Sequence, residues 1–381
     1  MYMKNVYLDY AGTTPMDPRV ERVVLKRLRE SWGNASSVHA VGRQAKKVIE
    51  DSRKNVARVI GSRPEEIIFT GSGTESDNFA IFGVARAYKK YGRHIITSKI
   101  EHPAVLRACQ YLEQNEKFEV SYLDVSKNGI VNPESVRRAL RPDTILVSVI
   151  YANNEIGTIQ PIAEISKVIQ EARSKKLEAG SWHQNEKLPV FHSDSCQAAG
   201  ALNLNVNHLG VDLMTLNGSK IYGPKAAGCL YVRRGINLVP LIVGGSQEGG
   251  LRAGTENTAL IAGFAKALEL ADGSKKKESA RLVKLRDYMI GQILKTIPGG
   301  RLNGDPILRL PNNINISFEN VDGEMLMLAL DQRGIQVSTG SACTSTSTEP
   351  SHVLKALGLP ESLAKGNIRI TLGRQTNKKT N

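Results

Sequence analysis

The sequence predicts an α/β protein: a mostly parallel sheet covered by helices on both faces, with a smaller α+β unit appended. Two observations lead there. Through the first two thirds of the chain, short apolar and partly β-branched runs alternate with longer helical patterns, and such alternation buries a parallel sheet on both sides. From about Thr258 the pattern changes to long helical stretches, then to the short runs "NINISF", "GIQVST" and "NIRITLG", the order of an α+β unit.

Seven runs read as strands of the larger sheet: "EEIIFT", "RHIITS", "FEVSYLDV", "TILVSVIYA", "LPVFHSD", "DLMTLN" and "AGCLYVRR". Each is short, apolar and bounded by polar or turn residues. Helical patterns over 75–90, 103–113 and 162–173 lie between them. No helix fits between "DLMTLN" and "AGCLYVRR", so that pair is expected to be antiparallel, since a parallel pair needs a long crossover. "LEAGSWHQNEK" reads as a polar surface excursion, and two long helices are expected after Thr258. The expected division is a large domain over 16–259 and a small one formed by 1–15 with 260–381.

The 381 residues, 41% hydrophobic and 23% charged, suit a soluble two-domain protein. No run of eighteen apolar residues occurs, so no transmembrane helix is expected. "MYMKNVYLDYAGTTP" has neither an apolar core nor a cleavage pattern, and no signal peptide is expected. Cys109, Cys196, Cys229 and Cys343 are far apart and form no CxxC pair. Neither a disulfide framework nor a zinc site is expected, and the setting is a reducing, cytoplasmic one. The net charge of +14 raises the question of nucleic acid. The basic residues are scattered over stretches such as "RVVLKRLRE" and aromatics are only 5%, so no direct nucleic-acid contact is expected.

Ligands of open α/β sheets gather at the carboxyl ends of the strands. "EEIIFT" runs into "GSGTESDN" and a helix, where small residues and a helix N-terminus suit an anion. An ordinary N-cap with Glu75 in the first turn has the same pattern. "HSDSCQAAG" sets Asp194 just past a strand, and a buried carboxylate there needs a cation or hydrogen bonds. "TLNGSKIYGPK" sets Lys220 past the next strand; alone it reads as a surface lysine. Taken together, lysine, acid and anion seat point to pyridoxal phosphate (PLP), which requires a Schiff-base lysine, an acid at its ring nitrogen and a phosphate cradle. His102, in "IEHPAVLRAC", suits either stacking on a flat ring or capping a helix. Cys343 stands in "STGSACTSTSTEPSHVL", among small and hydroxylated residues that offer a structural thiol nothing to pack on.

The motifs "YLDYAGTTP", "WGNASSVHAVGR", "FTGSGTESDN", "YANNEIGTIQPI", "HSDSCQAAG", "SKIYGPK", "GGSQEGGLRAGTEN" and "GSACTSTSTEPSHVL" follow one another in this chain. In this order they resemble the cysteine desulfurases of the NifS/IscS-like branch, over residues 7 to 374. The resemblance implies the aminotransferase-like fold of PLP-dependent transferases (fold type I) and a homodimer. It implies Lys220 as the Schiff-base lysine, Asp194 as partner of the ring nitrogen, and His102 stacked on the ring and assisting proton transfer. Gly73, Thr74 and Ser219 would approach the phosphate, joined by Thr255 of the partner subunit. Asn154 and Gln197 would bond the ring oxygen, and Arg369, helped by Asn34, would hold the substrate carboxylate. L-Cysteine would yield alanine and a persulfide on Cys343, carried on a mobile loop over about 338–350. The persulfide would pass to acceptors such as an iron–sulfur scaffold, with which Cys343 could share a cluster, or tRNA thiolation enzymes.

The chain departs from its relatives at Ser219, usually histidine, and at Asn217, usually serine. "GGSQEGG" stands where "GGGQERG" is common, so Ser246 and Gly249 replace glycine and arginine. Another PLP reaction, such as selenocysteine lyase or aminotransferase activity, and a non-catalytic assembly protein are the rival readings. Cys343 argues against an aminotransferase, which needs no thiol, and Lys220, Asp194, His102 and Cys343 together argue against loss of catalysis.

Overall fold

The computed structural model describes residues 5–178, 188–340 and 350–378. The chain opens with β1 (Val6–Tyr7), α1 (Pro18–Glu30) and α2 (Ala40–Ile60). Asp17 caps α1, its Oδ1 accepting from the Arg19 amide at 2.9 Å, and Pro18 supplies a preset φ at the first helical position. Strands and helices then alternate: β2 (Ile67–Thr70), α3 (Gly73–Tyr88), β3 (His94–Ser98), α4 (Pro103–Glu116), β4 (Glu119–Leu123), α5 (Pro133–Ala139) and β5 (Thr144–Ser148). They continue through α6 (Ile162–Glu178), β6 (Val190–Asp194), α7 (Val206–Leu209), β7 (Leu213–Asn217) and β8 (Gly228–Val232).

These strands form a seven-stranded sheet in the order β2-β8-β7-β6-β5-β3-β4. The pairs among β3 to β7 are parallel, and β8 runs antiparallel to both β7 and β2. All seven sequence-predicted strands are present, and the pair with no room for a crossover is the antiparallel one. Two apolar layers enclose the sheet. Phe191, Met214 and Tyr231 point into one, Ile95, Leu146 and Leu230 into the other. Successive residues of a strand face opposite sides, so strands buried on both faces have to be apolar throughout.

The chain continues with α8 (Thr258–Thr296), β9 (Gly300–Leu302), β10 (Asn313–Phe318), α9 (Gly323–Asp331) and β11 (Ile335–Gln336). It closes with α10 (His352–Ala356), α11 (Glu361–Lys365) and β12 (Asn367–Thr371). The sheet β12-β10-β9 is antiparallel, and β1 pairs in parallel with β11, Val6 opposite Ile335. Leu8, Ile314, Ile316, Ile368 and Ile370 make the core of this unit.

One expectation is corrected. The two long helices expected after Thr258 are a single helix of 39 residues. Gly273 is exposed within it, and one glycine costs a helix interior only about 1 kcal/mol. Packing at both ends outweighs that cost. Phe264, Leu268 and Ala271 join the core of the large sheet, whereas Leu282 and Leu285 join the small one.

An ion pair ties the segment before α8 to the sheet. Glu248 has φ 49, in the left-handed region, and its carboxylate is buried. It accepts from Arg53 Nη2 at 2.7 Å, from Nη1 at 2.8 Å and from the Phe69 amide at 2.9 Å. Removing one member of a buried pair strands the other, at a cost of about 3–5 kcal/mol. Glu248→Ala should therefore lower the thermal midpoint clearly, and the Arg53→Met/Glu248→Met double variant should regain part of the loss.

Candidate active site

A cavity of about 270 Å³ opens at the carboxyl ends of the parallel strands. Past β2, the N-terminus of α3 brings Gly73 and Thr74 to it; past β3 comes His102, past β5 Asn154, past β6 Asp194 and Gln197, past β7 Lys220, and from β12 Arg369. Ser72 caps α3, its Oγ accepting from the Glu75 amide at 3.0 Å. Gly73 is required by close approach: a Cβ there would lie 2.8 Å from Cys196 Sγ. The first amides of a 16-residue helix thus face the cavity, which suits an anion.

Carboxyl groups crowd one wall. Asp77 and Asp194 are both buried, and their oxygens lie within 4.8 Å of each other and of a His102 ring nitrogen. Asp194 Oδ1 accepts from the Cys196 amide at 2.9 Å, while Asp77 Oδ1 has no hydrogen-bond partner. Burial first, and then the Asp194 charge, push the Asp77 pKa well above the carboxylate range, the Thr215 hydroxyl opposing. Beneath them His192 is fully buried, its ring nitrogens 2.9 Å from Ser148 Oγ and 3.1 Å from Thr215 Oγ1. Burial pushes its pKa down to about 4, against the pull of Asp194. His102 is neutral as well. Burial lowers its pKa, Asp194 opposes, and Lys220 and His352 add to the fall. Its Nδ1 accepts from the Ala104 amide at 3.1 Å, which leaves the proton on Nε2. Both readings of His102 are therefore met: it caps α4 and lines the cavity.

Lys220 sits in the turn after β7. Its Nζ donates to the carbonyls of Ala11 at 3.0 Å and Gly12 at 2.5 Å. Gln197 Nε2 donates to the same Ala11 carbonyl at 3.0 Å. Arg369 is buried, and its Nε has no partner.

Some sequence-predicted residues stand elsewhere. Ser219 is off the cavity wall and its Oγ donates to Asn217 Oδ1 at 3.2 Å; Asn217 is the one that lines the cavity. Asn34 is exposed, its Oδ1 accepting from the Ser36 amide at 2.9 Å, and Thr255 is exposed. Cys343 lies outside the described residues, but its flanks are placed. Gly340 lines the cavity and its amide donates to Asn367 Oδ1 at 3.2 Å. Ser351 Oγ donates to the buried Glu155 carboxylate, and His352 Nε2 to the Glu101 carbonyl at 2.9 Å. Sequence reasoning did not single out Asp77, Cys196, Ala11 or Gly12. Asp77 follows Thr74 by one helical turn, a spacing that shares a face and could have flagged it.

The Aminotransferase class-V family matches residues 6–380, and the chain belongs to that family. It is 50% identical over 375 residues to "Cysteine desulfurase IscS" of Dictyoglomus turgidum, covering 98% of this chain and 91% of that protein. A solved structure titled "NIFS-LIKE PROTEIN" superposes with a TM-score of 0.90 at 34% identity, over 99% of this chain and 96% of that one. Another, "SspA in complex with cysteine", has a TM-score of 0.81 at 34% identity, over 97% and 99%. Within the class-V family, the chain stands among the cysteine desulfurases.

Glu101, beside His102, is buried with one oxygen, Oε2, unpartnered; Oε1 accepts from Ser98 Oγ and from the Ile150 amide at 3.0 Å. Burial pushes its pKa up to about 8. An unfolded glutamate titrates near 4.3, so as pH rises from there to about 8 the unfolded chain loses a proton that the folded one keeps. Stability falls across that window and levels above it. Glu101→Gln keeps the acceptor and removes the titration. Its thermal midpoint should gain on the parent's between pH 5 and pH 8; an equal difference at both values counts against a neutral buried carboxyl.

Proposed function

We propose that this chain uses PLP to remove sulfur from L-cysteine, yielding L-alanine and a persulfide on Cys343. The observation that carries the reading is the cavity. It gathers a lysine, a buried carboxylate, a neutral imidazole, a helix N-terminus and an arginine N–H without a partner. These residues fit the cofactor: Gly73, Thr74 and Asn217 suit the phosphate, Asp194 the ring nitrogen, Asn154 and Gln197 the ring oxygen, and Lys220 the aldehyde carbon. Bound PLP supplies an electron sink that makes the carbon–sulfur bond of cysteine labile.

Asp194 keeps the ring nitrogen protonated, and the neutral His102 offers a flat face and a movable Nε2 proton. Lys220, released from the carbonyls of Ala11 and Gly12, moves protons at the substrate carbons. Arg369 fixes the substrate carboxylate through Nε. Atoms balance without an outside oxidant: cysteine exchanges its thiol for hydrogen, and the Cys343 thiol becomes a persulfide. Gly340 lines the cavity, and the few residues from it to Cys343 span at most about 10 Å, so the thiol is tethered within reach.

The working unit is a homodimer. Trp32, Val38 and Val243 are 74%, 87% and 85% exposed, an apolar display that a partner subunit would cover. Thr255 of the partner subunit would complete the phosphate seat, which Ser219 supports from behind through Asn217. The large and small domains divide near 260, the small one including residues 1–15. A reducing, cytoplasmic setting preserves the persulfide for its acceptor, an iron–sulfur scaffold protein or a tRNA thiolation enzyme. With the scaffold, Cys343 can share a nascent cluster.

Purified protein given PLP, L-cysteine and a reductant should release alanine and sulfide in equal amounts. Lys220→Ala should lose the borohydride-reducible PLP adduct together with turnover, and a surviving adduct would move the attachment elsewhere. Cys343→Ser should hold PLP normally yet release no sulfide, because a hydroxyl is a poor nucleophile toward sulfur at neutral pH. Near-normal sulfide release would remove Cys343 from the reaction.

A further inference from the structure

The Arg369 side chain is only 4% exposed, and a buried guanidinium has to find acceptors for its donors. Nη2 donates to Asp9 Oδ1 at 2.8 Å, and Nη1 donates to the Asn154 carbonyl at 3.1 Å. Nε is the donor left over, on a residue that lines the cavity. Two of the three nitrogens are thus occupied before any ligand arrives.

Asp9 is itself held firmly. It bridges in parallel to Thr371 at the end of β12, two residues from Arg369. Its carbonyl accepts from Tyr7 Oη at 2.9 Å and from the Gly12 amide at 3.0 Å. Gly12 closes the turn over the carboxylate, where a Cβ would come within 2.4 Å of Asp9 Oδ2. The same turn carries the two carbonyls that hold Lys220. One short segment therefore orients both the guanidinium and the lysine.

We propose that Asp9 is a positioning residue that sets the preference of this site for substrates carrying an α-carboxylate. An arginine side chain has substantial rotamer entropy to lose. The Asp9 contact removes that freedom in advance on a residue that lines the cavity with Nε–H unpartnered, the general advantage of preorganisation. Without it, the Asn154 carbonyl is the single acceptor left to the guanidinium among the described residues, and the group can turn about that contact. The pairing also offsets the Arg369 charge, so a carboxylate is selected by direction rather than by net field. This inference rests on Arg369 as the carboxylate anchor of the proposed reaction.

The test uses the PLP-loaded enzyme titrated with L-alanine and with ethylamine, following the cofactor absorbance. The two ligands differ by the carboxylate, and neither carries a thiol to turn over. The readout is the ratio of their dissociation constants, which a merely structural lesion would leave alone by weakening both. Asp9→Ala should lower the preference for L-alanine at least tenfold, and Asp9→Asn, which keeps the acceptor oxygen, should retain it. Asp9→Ser, too short to reach Nη2, serves should the alanine variant fail to fold. A preference unchanged within twofold in Asp9→Ala or Asp9→Ser, or lost equally in Asp9→Asn, overturns the role of Asp9. Arg369→Gln separates the two levels: if it leaves the preference intact, the reading of Arg369 as anchor fails, independently of Asp9.

Discussion

Buried charge has to be neutralised, matched or expelled, and the carboxyl edge of the large sheet is organised around that requirement. Asp77, Glu101, Glu155 and Asp194 are all buried there. Burial raises the pKa of the first three. Glu101, pushed up to about 8, holds its proton at neutral pH and acts as a hydrogen-bonding group rather than as an anion. Asp194, beside them, accepts a hydrogen bond from a backbone amide. The two nearest imidazoles are kept neutral by the same burial.

The second organising element is the turn from Asp9 to Thr14. The Ala11 amide donates to Thr371 Oγ1 at 2.9 Å, and Thr14 donates to the Ser219 carbonyl through both its amide and its hydroxyl at 2.9 Å. Together with the bonds to Gln197, Lys220 and Arg369, this turn connects the two ends of the chain with the middle. Ala11 and Gly12, whose carbonyls hold Lys220, are small, and at Gly12 a Cβ would collide with the Asp9 carboxylate.

Much of this was legible in the sequence, and the physical reasons are specific. The seven strands stand out because a strand buried on both faces is apolar throughout, and the antiparallel β7–β8 pair followed from the missing crossover. Asp194 and Lys220 are visible because charged residues directly after apolar strands have to be accounted for. Asp9 and Cys196 are not visible in that way. Each acts through a neighbour distant in sequence, and local pattern holds no trace of the Arg369 or Gly73 that it meets. The continuity of α8 is hidden for the opposite reason. Gly273 and Ser274 are local signs of a break, but packing onto two separate cores overrides them, and Ser274 Oγ turns back onto the Leu270 carbonyl at 2.8 Å. Ser219 illustrates a third limit. Its position beside Lys220 is plain from the sequence, yet which of Asn217 and Ser219 faces the cavity depends on the tight turn between them.

The length of α8 has a mechanical consequence. At about 1.5 Å per residue, its 39 residues make a rod of nearly 60 Å with one end set in each core. Two bodies joined by a flexible strand of chain can tumble against each other. Two bodies joined by a rod share its stiffness, and any rocking between them has to be taken up as curvature along the rod itself. The least braced stretch is the exposed middle around Gly273, where a Cβ would touch nothing. A bend there would tilt the small sheet rather than let it swing freely. Arg369 belongs to the small sheet and Lys220 to the large one, so the Asp9–Gly12 turn that bonds both is a stay against such bending.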